Sequence, residues 1–480
     1  MSWEAVIGIE VHVELATRSK MFCGCAVSFG DEPNTNVCPT CLGLPGALPV
    51  PNRVAIESIM AIGIALDCRV SPQSVFHRKN YFYADLPKNY QISQFDIPVC
   101  RDGHIDVELD GEISRIEIER AHMEEDTGKS THLGDGGRIH SARATWLDFN
   151  RSGVPLVEIV SRPDIRSASQ ARAYAQELRS LVAELGVSDA RLEEGSIRFD
   201  ANVSIRREGD RGLGTKVEIK NMNSFRSLEQ AIDYEVARQV DLVETGGEVI
   251  QETRHWEEEA GVTHSMRTKE GSSDYRYFTE PDLAPMVMSE EWVARVRATI
   301  PELPAGRRAR FVGDGLEPAA AAVLSGSPPR LRQIYEDAIV AGAPAVSAAN
   351  WVIGELTAAD RRPEPAGIEL SGADLAELIS LVDTGKVSST AAKDVLEGVL
   401  GGEGSPARVA EARDLIQISD PSELESAIAA VIEENPKAVS DYADGETKII
   451  GFLVGQVMRA TQGKADPKAV NEMLRDRLDA

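Results

Sequence analysis

Apolar and polar side chains alternate strictly near the start of the chain, between Val6 and Leu15. The apolar set is Ile7, Ile9, Val11, Val13 and Leu15, and the positions between them are Gly8, Glu10, His12 and Glu14. A period of two is that of a β-strand, so one face is predicted to be buried and the other to carry the charged groups. Two carboxylates beside an imidazole repel one another unless a cation or a basic group lies over them. This face therefore predicts a site for a multiply charged ligand.

The same alternation returns at 196–206 and 216–220, on either side of a turn at 209–212. Each segment has one apolar and one charged face, which predicts a β-hairpin. Residues 77–96 indicate a structured loop. Helices are predicted at 52–66, 167–186 and 227–243, the first two after capping residues. A sheet that packs its apolar face on helices and leaves its polar face open belongs to the α+β class.

The character of the sequence changes after residue 293, where alternation ends and Ala, Leu, Glu and Asp dominate. Gly401–Pro406 reads as a linker. A chain of 480 residues is expected to form about three domains at roughly 150 residues each. The sequence predicts a site-bearing domain at 1–293, an all-α domain at 294–405 and a small α-helical tail domain at 406–480.

The composition of the chain restricts which binding partners and which cellular compartment are expected. No apolar run approaches the roughly 18 to 20 residues that cross a bilayer, so no membrane association is expected. The chain enters its first strand without a basic region or cleavage site, and a cytoplasmic protein is expected. A formal net charge of -26 argues against a broad basic surface. Any contact with nucleic acid is expected to be local.

Four of the six cysteines form two close pairs, Cys23 with Cys25 and Cys38 with Cys41. Two pairs of thiolates joined by a loop are the ligands of a tetrahedral, closed structural zinc site. The alternative interpretation is a set of buried or redox-active thiols. For a chain expected in the cytoplasm, zinc is the favoured interpretation.

A second candidate site is the acidic run that follows His122, which comprises Glu124, Glu125 and Asp126. Such a run can be a solvated loop. Here it follows the alternating Ile116 and Ile118, which indicates a strand end. With Glu10, His12, Asp148 and Glu158 it would provide the oxygen-rich ligands that magnesium prefers. The sequence contains no G-x-x-x-x-G-K-[ST] loop and no G-x-S-x-G elbow, so a hydrolytic nucleophile is not expected.

Several longer motifs occur in a fixed order. They are Ile7–Leu15, Arg78–Tyr83, Tyr90–Phe95, His122–Asp126, Asn150–Arg151 with Pro155–Val160, Lys220–Phe225, Asp274–Phe278, Glu280–Asp282 and, in the tail, Gly455–Met458 with Asn471. Over essentially its full length the chain resembles the B subunits of glutamine-dependent aspartyl/glutamyl-tRNA amidotransferases.

The resemblance implies a glutamine-synthetase-like antiparallel-sheet cradle domain, followed by a helical domain and a tRNA-binding tail. It implies a heterotrimer in which a glutaminase A subunit and a small C subunit accompany the B subunit. The B subunit would use ATP and Mg2+ to phosphorylate the side-chain carboxylate of Glu-tRNA(Gln) or Asp-tRNA(Asn). Ammonia from the partner would then displace phosphate. The sequence does not indicate which of the two tRNAs is the physiological substrate.

The expected catalytic residues are Glu125, Glu10, His12, Lys79 and Lys88, the two lysines being assigned by the resemblance to the ammonia route. The expected magnesium ligands are His12, Glu10, Glu125 and Glu158, with Glu124 and Asp148 as further candidates. Arg459, Lys464 and Lys468 are the candidate tRNA contacts in the tail. Two alternatives remain at this point: a free-standing glutamine-synthetase-like ligase and a non-catalytic, zinc-stapled scaffold of an RNA-protein complex.

Overall fold

The computed structural model describes residues 2–133, 143–268, 275–362, 370–417, 421–461 and 464–479. The chain divides into two compact units, Met1–Pro304 and Ala305–Ala480. Asp274, the first residue of one motif above, lies outside the described residues. Within these ranges, no helix combines the length and the apolar character needed to cross a bilayer.

The first unit is built on a nine-stranded sheet. Its strands are β1 (Trp3–Glu14), β2 (Arg69–Val70), β6 (Cys100–Leu109), β7 (Glu112–Glu125), β10 (Pro155–Ser161), β11 (Ile197–Arg207), β12 (Val217–Lys220), β13 (Glu252–Glu257) and β14 (Val262–Thr268). Their order in the sheet is β14-β13-β12-β11-β1-β10-β7-β6-β2. Neighbouring strands run antiparallel except β12 and β13, which run parallel. The predicted strand and hairpin are confirmed, and β1 lies at the centre of the sheet.

Shorter strands form three small sheets beside the large one. These strands are β3 (Gln73–Ser74), β4 (His77–Asn80), β5 (Tyr90–Ser93), β8 (Lys129–Leu133), β9 (Ala144–Asp148), β15 (Phe278–Thr279) and β16 (Met286–Val287). Strand β4 pairs with both β5 and β15, β3 pairs with β16, and β8 pairs with β9. The region 77–96, expected as a loop, therefore contains an antiparallel strand pair. This pair holds its polar side chains in fixed positions.

Helices α1 (Arg53–Ala65), α2 (Ala168–Glu184) and α3 (Phe225–Glu244) pack on the large sheet. Their predicted positions are confirmed, although α3 begins two residues early because Ser224 caps it by accepting from the Ser227 N–H. The apolar side of β1 is fully buried at Ile7, Ile9 and Val11. The α+β class is thus confirmed. The unit ends with α4 (Glu290–Arg297).

The second unit is helical throughout its described part. Its α-helices are α5 (Pro304–Gly313), α6 (Pro318–Ser325), α7 (Pro329–Val340), α8 (Ala345–Trp351), α9 (Thr357–Asp360), α10 (Gly372–Asp383), α11 (Ala391–Leu400), α12 (Pro406–Ala412), α13 (Pro421–Glu434), α14 (Pro436–Ala443), α15 (Ile450–Ala460) and α16 (Pro467–Leu478). A π-helical turn, Val352–Leu356, joins α8 to α9, and a 3-10 turn, Thr447–Ile449, precedes α15.

This unit contains two separate hydrophobic cores, one built from residues between Phe311 and Ala410 and the other from residues between Leu424 and Leu474. Val409 and Ala410 of α12 belong to the first core, so the proposed boundary at residue 406 falls between two helices that pack on each other. The division of the chain into three domains stays a prediction.

Candidate metal and phosphate site on the open sheet face

The register of the sheet brings charged side chains of four strands together on its open face. His12 of β1 lies directly opposite Glu158 of β10, and Glu158 lies opposite His122 of β7. On the other side of β1, Glu10 lies opposite Asp200 of β11. Residues directly opposite each other on neighbouring strands place their side chains on the same face. The polar stripe of β1 is thereby extended sideways into a polar surface.

The first group on this surface consists of His12, His122, Glu124 and Glu158. His12 Nε2 lies 3.6 Å and His122 Nε2 lies 3.4 Å from Oε2 of Glu158. His122 Nε2 is also 3.4 Å from Oε1 of Glu124. Ligand atoms of His12, Glu124 and Glu158 all lie within 4.8 Å of one another. One imidazole and two carboxylates at this spacing are suited to a divalent cation.

Lys79 supplies the positive charge nearest to this group. Its Nζ lies 3.3 Å from Oε1 of Glu124, whose carboxylate also accepts hydrogen bonds from Ser93 Oγ at 2.9 Å and Gln91 Nε2 at 2.9 Å. Burial alone would raise the pKa of Glu124, but Lys79 and His122 hold it well below its usual value. The carboxylate is therefore ionised and firmly held.

Glu158 is kept ionised in the same way. Burial opposes its charge, but His122 and His12 outweigh burial and lower the pKa of Glu158 to about 2. The reciprocal effect raises the pKa of His12, because its hydrogen bond to Glu158 and the nearby carboxylates together exceed the cost of burial. His122 is 4% exposed, and its Nδ1 has no hydrogen-bond partner among the described residues. Nε2 of the same ring contacts both carboxylates, so His122 holds Glu124 and Glu158 together.

The second group consists of Glu10, Asp200 and Glu218, whose ligand atoms also lie within 4.8 Å of one another. Lys220 pairs with Asp200 and lies 3.3 Å from Glu218. Burial would lower the pKa of Lys220, but the carboxylates of Asp200 and Glu218 raise it. Glu10 therefore belongs to a second acidic group, which contains the Lys220 ammonium ion and adjoins the first, since His12 Nδ1 lies 3.9 Å from Asp200.

Glu125 is directed away from both groups. Its carboxylate pairs with the ammonium group of Lys88 and accepts a hydrogen bond of 2.8 Å from the backbone N–H of Ile92. Both side chains are nearly inaccessible, at 3% exposed for Glu125 and 5% for Lys88. Gln91 links this pair to the first group, since its Nε2 donates to the carboxylate of Glu124 and to the backbone carbonyl of Glu125. Lys79 and Lys88 therefore form ion pairs with two consecutive residues, Glu124 and Glu125.

The remaining acids at this end of the sheet have other partners. Asp126 accepts a hydrogen bond of 3.0 Å from Arg198, and Asp148 accepts from the backbone N–H groups of Asn34 and Asn150. Burial and the neighbouring Asp126 raise the pKa of Glu14 to about 8. The predicted ligand Asp148 therefore uses its carboxylate to hold two backbone segments together. Metal binding by each predicted acid stays a prediction.

The four cysteines of the predicted zinc site are brought together, with sulfur atoms within 4.8 Å of one another. A hydrogen bond from Cys23, the Cys38 N–H and the nearby Lys20 lower the pKa of Cys41 to about 5, against the effect of burial. The pKa of Cys23 is raised by its hydrogen bond to Cys41. Four sulfur atoms at this spacing, at least one of them favoured as a thiolate, fit a tetrahedral zinc site.

The predicted tRNA contacts lie in the tail. Arg459 at the end of α15 and Lys468 in α16 are exposed. Lys464 is half-buried and pairs with Asp414. Two of the three side chains are therefore available to solvent at the surface of this unit.

Four residues of the site were not among the predicted ligands, namely His122, Asp200, Glu218 and Lys220. His122 belongs to the acidic motif, and the other three lie on the polar face of the predicted hairpin. The alternation within that hairpin could have identified them, because it assigns all three to its charged side.

Comparison with known proteins agrees with the resemblance along almost the whole chain. The family model described as "GatB/GatE catalytic domain" matches residues 5–294, and that described as "GatB domain" matches residues 333–478. Among curated relatives named as B subunits of aspartyl/glutamyl-tRNA(Asn/Gln) amidotransferase, that of Carboxydothermus hydrogenoformans is 48% identical over 482 residues, covering 99% of each chain. That of Chlorobium chlorochromatii is 49% identical over 483 residues, covering 100% of each.

Proposed function

Because this chain belongs to the family of aspartyl/glutamyl-tRNA(Asn/Gln) amidotransferase B subunits, we propose that it activates a tRNA-borne carboxylate with ATP and amidates it. The substrates would be Glu-tRNA(Gln), Asp-tRNA(Asn) or both. A glutaminase A subunit would supply ammonia, and a small C subunit would complete a heterotrimer. In this proposal the first unit is a glutamine-synthetase-like cradle, and the complex acts in the cytoplasm.

The proposed reaction has two steps. A side-chain carboxylate oxygen attacks the γ-phosphorus of ATP, which releases ADP and forms an acyl phosphate. Ammonia then attacks the acyl carbon, phosphate leaves with the electrons of the broken C–O bond, and the proton of the attacking nitrogen passes to solvent or phosphate. A carboxylate is a poor electrophile, so the first step creates the leaving group that the second requires. Such chemistry depends on positioning and on neutralising phosphate charge.

The observation that supports this proposal best is the Lys79–Glu124 pair within the carboxylate groups of the open sheet face, with the Lys88–Glu125 pair joined to it through Gln91. Ammonium groups can neutralise phosphate oxygens, and buried carboxylates can accept protons or hold a cation. His12, Glu124 and Glu158 would hold magnesium, with Glu10, Asp200 and Glu218 as a second acidic group. Bound magnesium would neutralise phosphate charge during transfer. The four cysteines would hold a structural zinc ion.

The experiment that tests the proposal uses the full chain purified with its A and C partners. Each misacylated tRNA is incubated with ATP, with glutamine or ammonium chloride, and the aminoacyl group is analysed. We expect amide formation only when ATP is present. Amide formation without ATP would contradict the proposal, as would cleavage of ATP by the isolated chain with free glutamate and no tRNA.

A variant tests whether the chain itself carries the activation step. Glu125→Gln should retain assembly with the partners and lose the ATP-dependent step by at least about a hundredfold, since it removes a charge that Lys88 pairs with. Glu112→Gln, on an exposed part of the same strand, is the matched control. Full activity of Glu125→Gln would favour a non-catalytic scaffold.

A further inference from the structure

The cysteine segment, residues 16–52 between β1 and α1, lies against the Lys88–Glu125 pair. A cavity of about 280 Å³ has Cys41 and Gly43 on one wall and Lys88, Tyr90 and Glu125 on another. Nothing in the proposed reaction assigns a role to this segment beyond holding a metal.

Gly43 makes the closest approach of this segment to the site. A Cβ added at Gly43 would overlap Cγ of Lys88 and would lie 3.1 Å from its Cβ and 3.2 Å from its Cδ. The φ angle of Gly43 is +66°, a conformation that residues with a side chain rarely adopt. The Gly43 backbone therefore packs directly against the aliphatic part of the Lys88 side chain, and only glycine permits this contact.

Gly43 is joined directly to the second pair of cysteines. The Gly43 N–H donates to the Thr40 carbonyl at 3.1 Å, and the Leu42 N–H donates to the Cys38 carbonyl at 3.1 Å. These bonds close a tight turn over the Cys38–Cys41 pair. A metal held by the four thiolates would anchor this turn, and with it the backbone that contacts Lys88.

A buried lysine forms a second link between the cysteines and the site. Lys20 is fully buried, its Nζ lies 3.8 Å from Cys41 Sγ, and it donates to the Phe149 carbonyl at 3.2 Å. At Gly153, an added Cβ would lie 3.5 Å from Cδ of Lys20, 3.6 Å from Cβ of Cys41 and 3.8 Å from Oε2 of Glu125. Lys20, Cys41 and Glu125 therefore converge on one point of backbone.

We propose that the cysteine segment positions the Lys88 ammonium group on Glu125, with Gly43 as the contact and the cysteine site as its anchor. Gly43 is a positioning residue, since it acts through Lys88. The role of Lys88 and Glu125 in amide formation rests on the proposed function. The contact itself does not, and it can be tested without activity.

The contact is tested by thermal unfolding of the full chain. Gly43→Ala should lower Tm by about 3 °C more than Gly30→Ala, because only the former overlaps Lys88. Gly30 is a matched control within the same segment, with a φ of +86° and nothing within 4 Å of an added Cβ. In a Lys88→Ala background, which removes Cγ and Cδ and leaves only the contact of 3.1 Å with Cβ, the excess should shrink by at least about half. Equal shifts for the two glycine variants, or an undiminished excess without the Lys88 stem, would overturn the proposal.

The functional consequence is tested in the complex with its partner subunits. Gly43→Ala should raise the phosphate released per amide formed by at least about threefold, because Glu125 keeps the carboxylate that activation requires, whereas displacement of Lys88 impairs transfer of ammonia. Its zinc content and its KM for tRNA should match those of the wild type, and Gly30→Ala should keep the wild-type ratio. An unchanged ratio in Gly43→Ala, or the same rise in Gly30→Ala, would overturn the positioning role. A wild-type complex that forms no amide would instead contradict the proposed function, and the unfolding comparison would still decide the contact.

Discussion

His12 and Glu158 face each other across strands β1 and β10, with Nε2 and Oε2 3.6 Å apart. His122 approaches the same carboxylate oxygen from β7 on the other side, at 3.4 Å. The central carboxylate is therefore flanked by two imidazoles. A divalent ion bound here would be held by Glu158 and the side chains around it, so metal affinity should depend on both.

Glu158→Gln should weaken binding of Mg2+ or of Mn2+ as its substitute by at least about tenfold, because it removes a charged ligand of the His12 group. Titration calorimetry of the purified chain measures the affinity. Asp148→Asn is the control, since Asp148 accepts hydrogen bonds from the Asn34 and Asn150 backbone N–H groups outside this group. Equal affinities for wild type and Glu158→Gln would remove Glu158 from the proposed ligands.

Stability in acid should depend on the same residue. The pKa of Glu158 is about 2 in the folded chain, against 4.5 for a glutamate side chain free in water, so between these values the unfolded state binds more protons. The free energy of unfolding should therefore fall as pH falls through this window, by up to about 3 kcal/mol from this group.

Urea unfolding of the metal-free chain between pH 5 and about 2.5 provides the measurement for that window. Glu158→Gln should flatten the dependence, whereas the exposed Glu112→Gln should not. A dependence that is equally steep in Glu158→Gln would show that other carboxylates account for the loss of stability.

The four-cysteine site should contain one zinc ion per chain. Cys41→Ala should abolish zinc retention, because a closed structural site depends on all four ligands. Cys68→Ala, which removes a buried thiol elsewhere in the core, should retain the metal. Elemental analysis after dialysis gives the stoichiometry, and full zinc content in Cys41→Ala would contradict a site built on these thiolates.

The Lys88–Glu125 pair should be strongly coupled in stability. Lys88→Met should lower the free energy of unfolding by about 3–5 kcal/mol, because it leaves the buried Glu125 carboxylate without its cation. The double variant with Glu125→Gln should recover part of that loss, since no buried charge is then unpaired. Denaturant unfolding of the four proteins of the cycle measures the coupling. Additive losses would show that the pair does not interact in solution.

Local features of the site could be predicted from the sequence. The period of two in β1 identified the face that carries Glu10 and His12, and helix caps identified the start of α1 and α2. The spacing of the cysteines predicted a cluster that the structure brings together. Each of these depends on residues close to one another along the chain.

The face of the sheet on which Glu124 and Glu125 lie could not be predicted from local periodicity. Ile116 and Ile118 face the core, and strict alternation would direct Glu124 toward the core and Glu125 to the open face. The pairing of β7 with β10 is irregular at Val160/Ser161, where β7 contains one residue more than β10. The side chains of β7 that follow this bulge therefore point to the opposite face of the sheet from the one that strict alternation predicts. Ala121 and Met123 then face the core, and Glu124 joins His122 on the open face. A bulge is set by pairing with a distant strand, which local periodicity does not reveal.

Transfer of oxygen from the substrate carboxylate to phosphate is a direct test of activation through an acyl phosphate. The purified complex is given glutamyl-tRNA labelled with 18O in the side-chain carboxylate, together with ATP and glutamine, and the released phosphate is analysed by mass spectrometry. One 18O atom is expected in each phosphate released with amide formation, because the carboxylate oxygen that attacks ATP leaves with the phosphoryl group. Phosphate free of 18O during normal amide formation would contradict activation through an acyl phosphate.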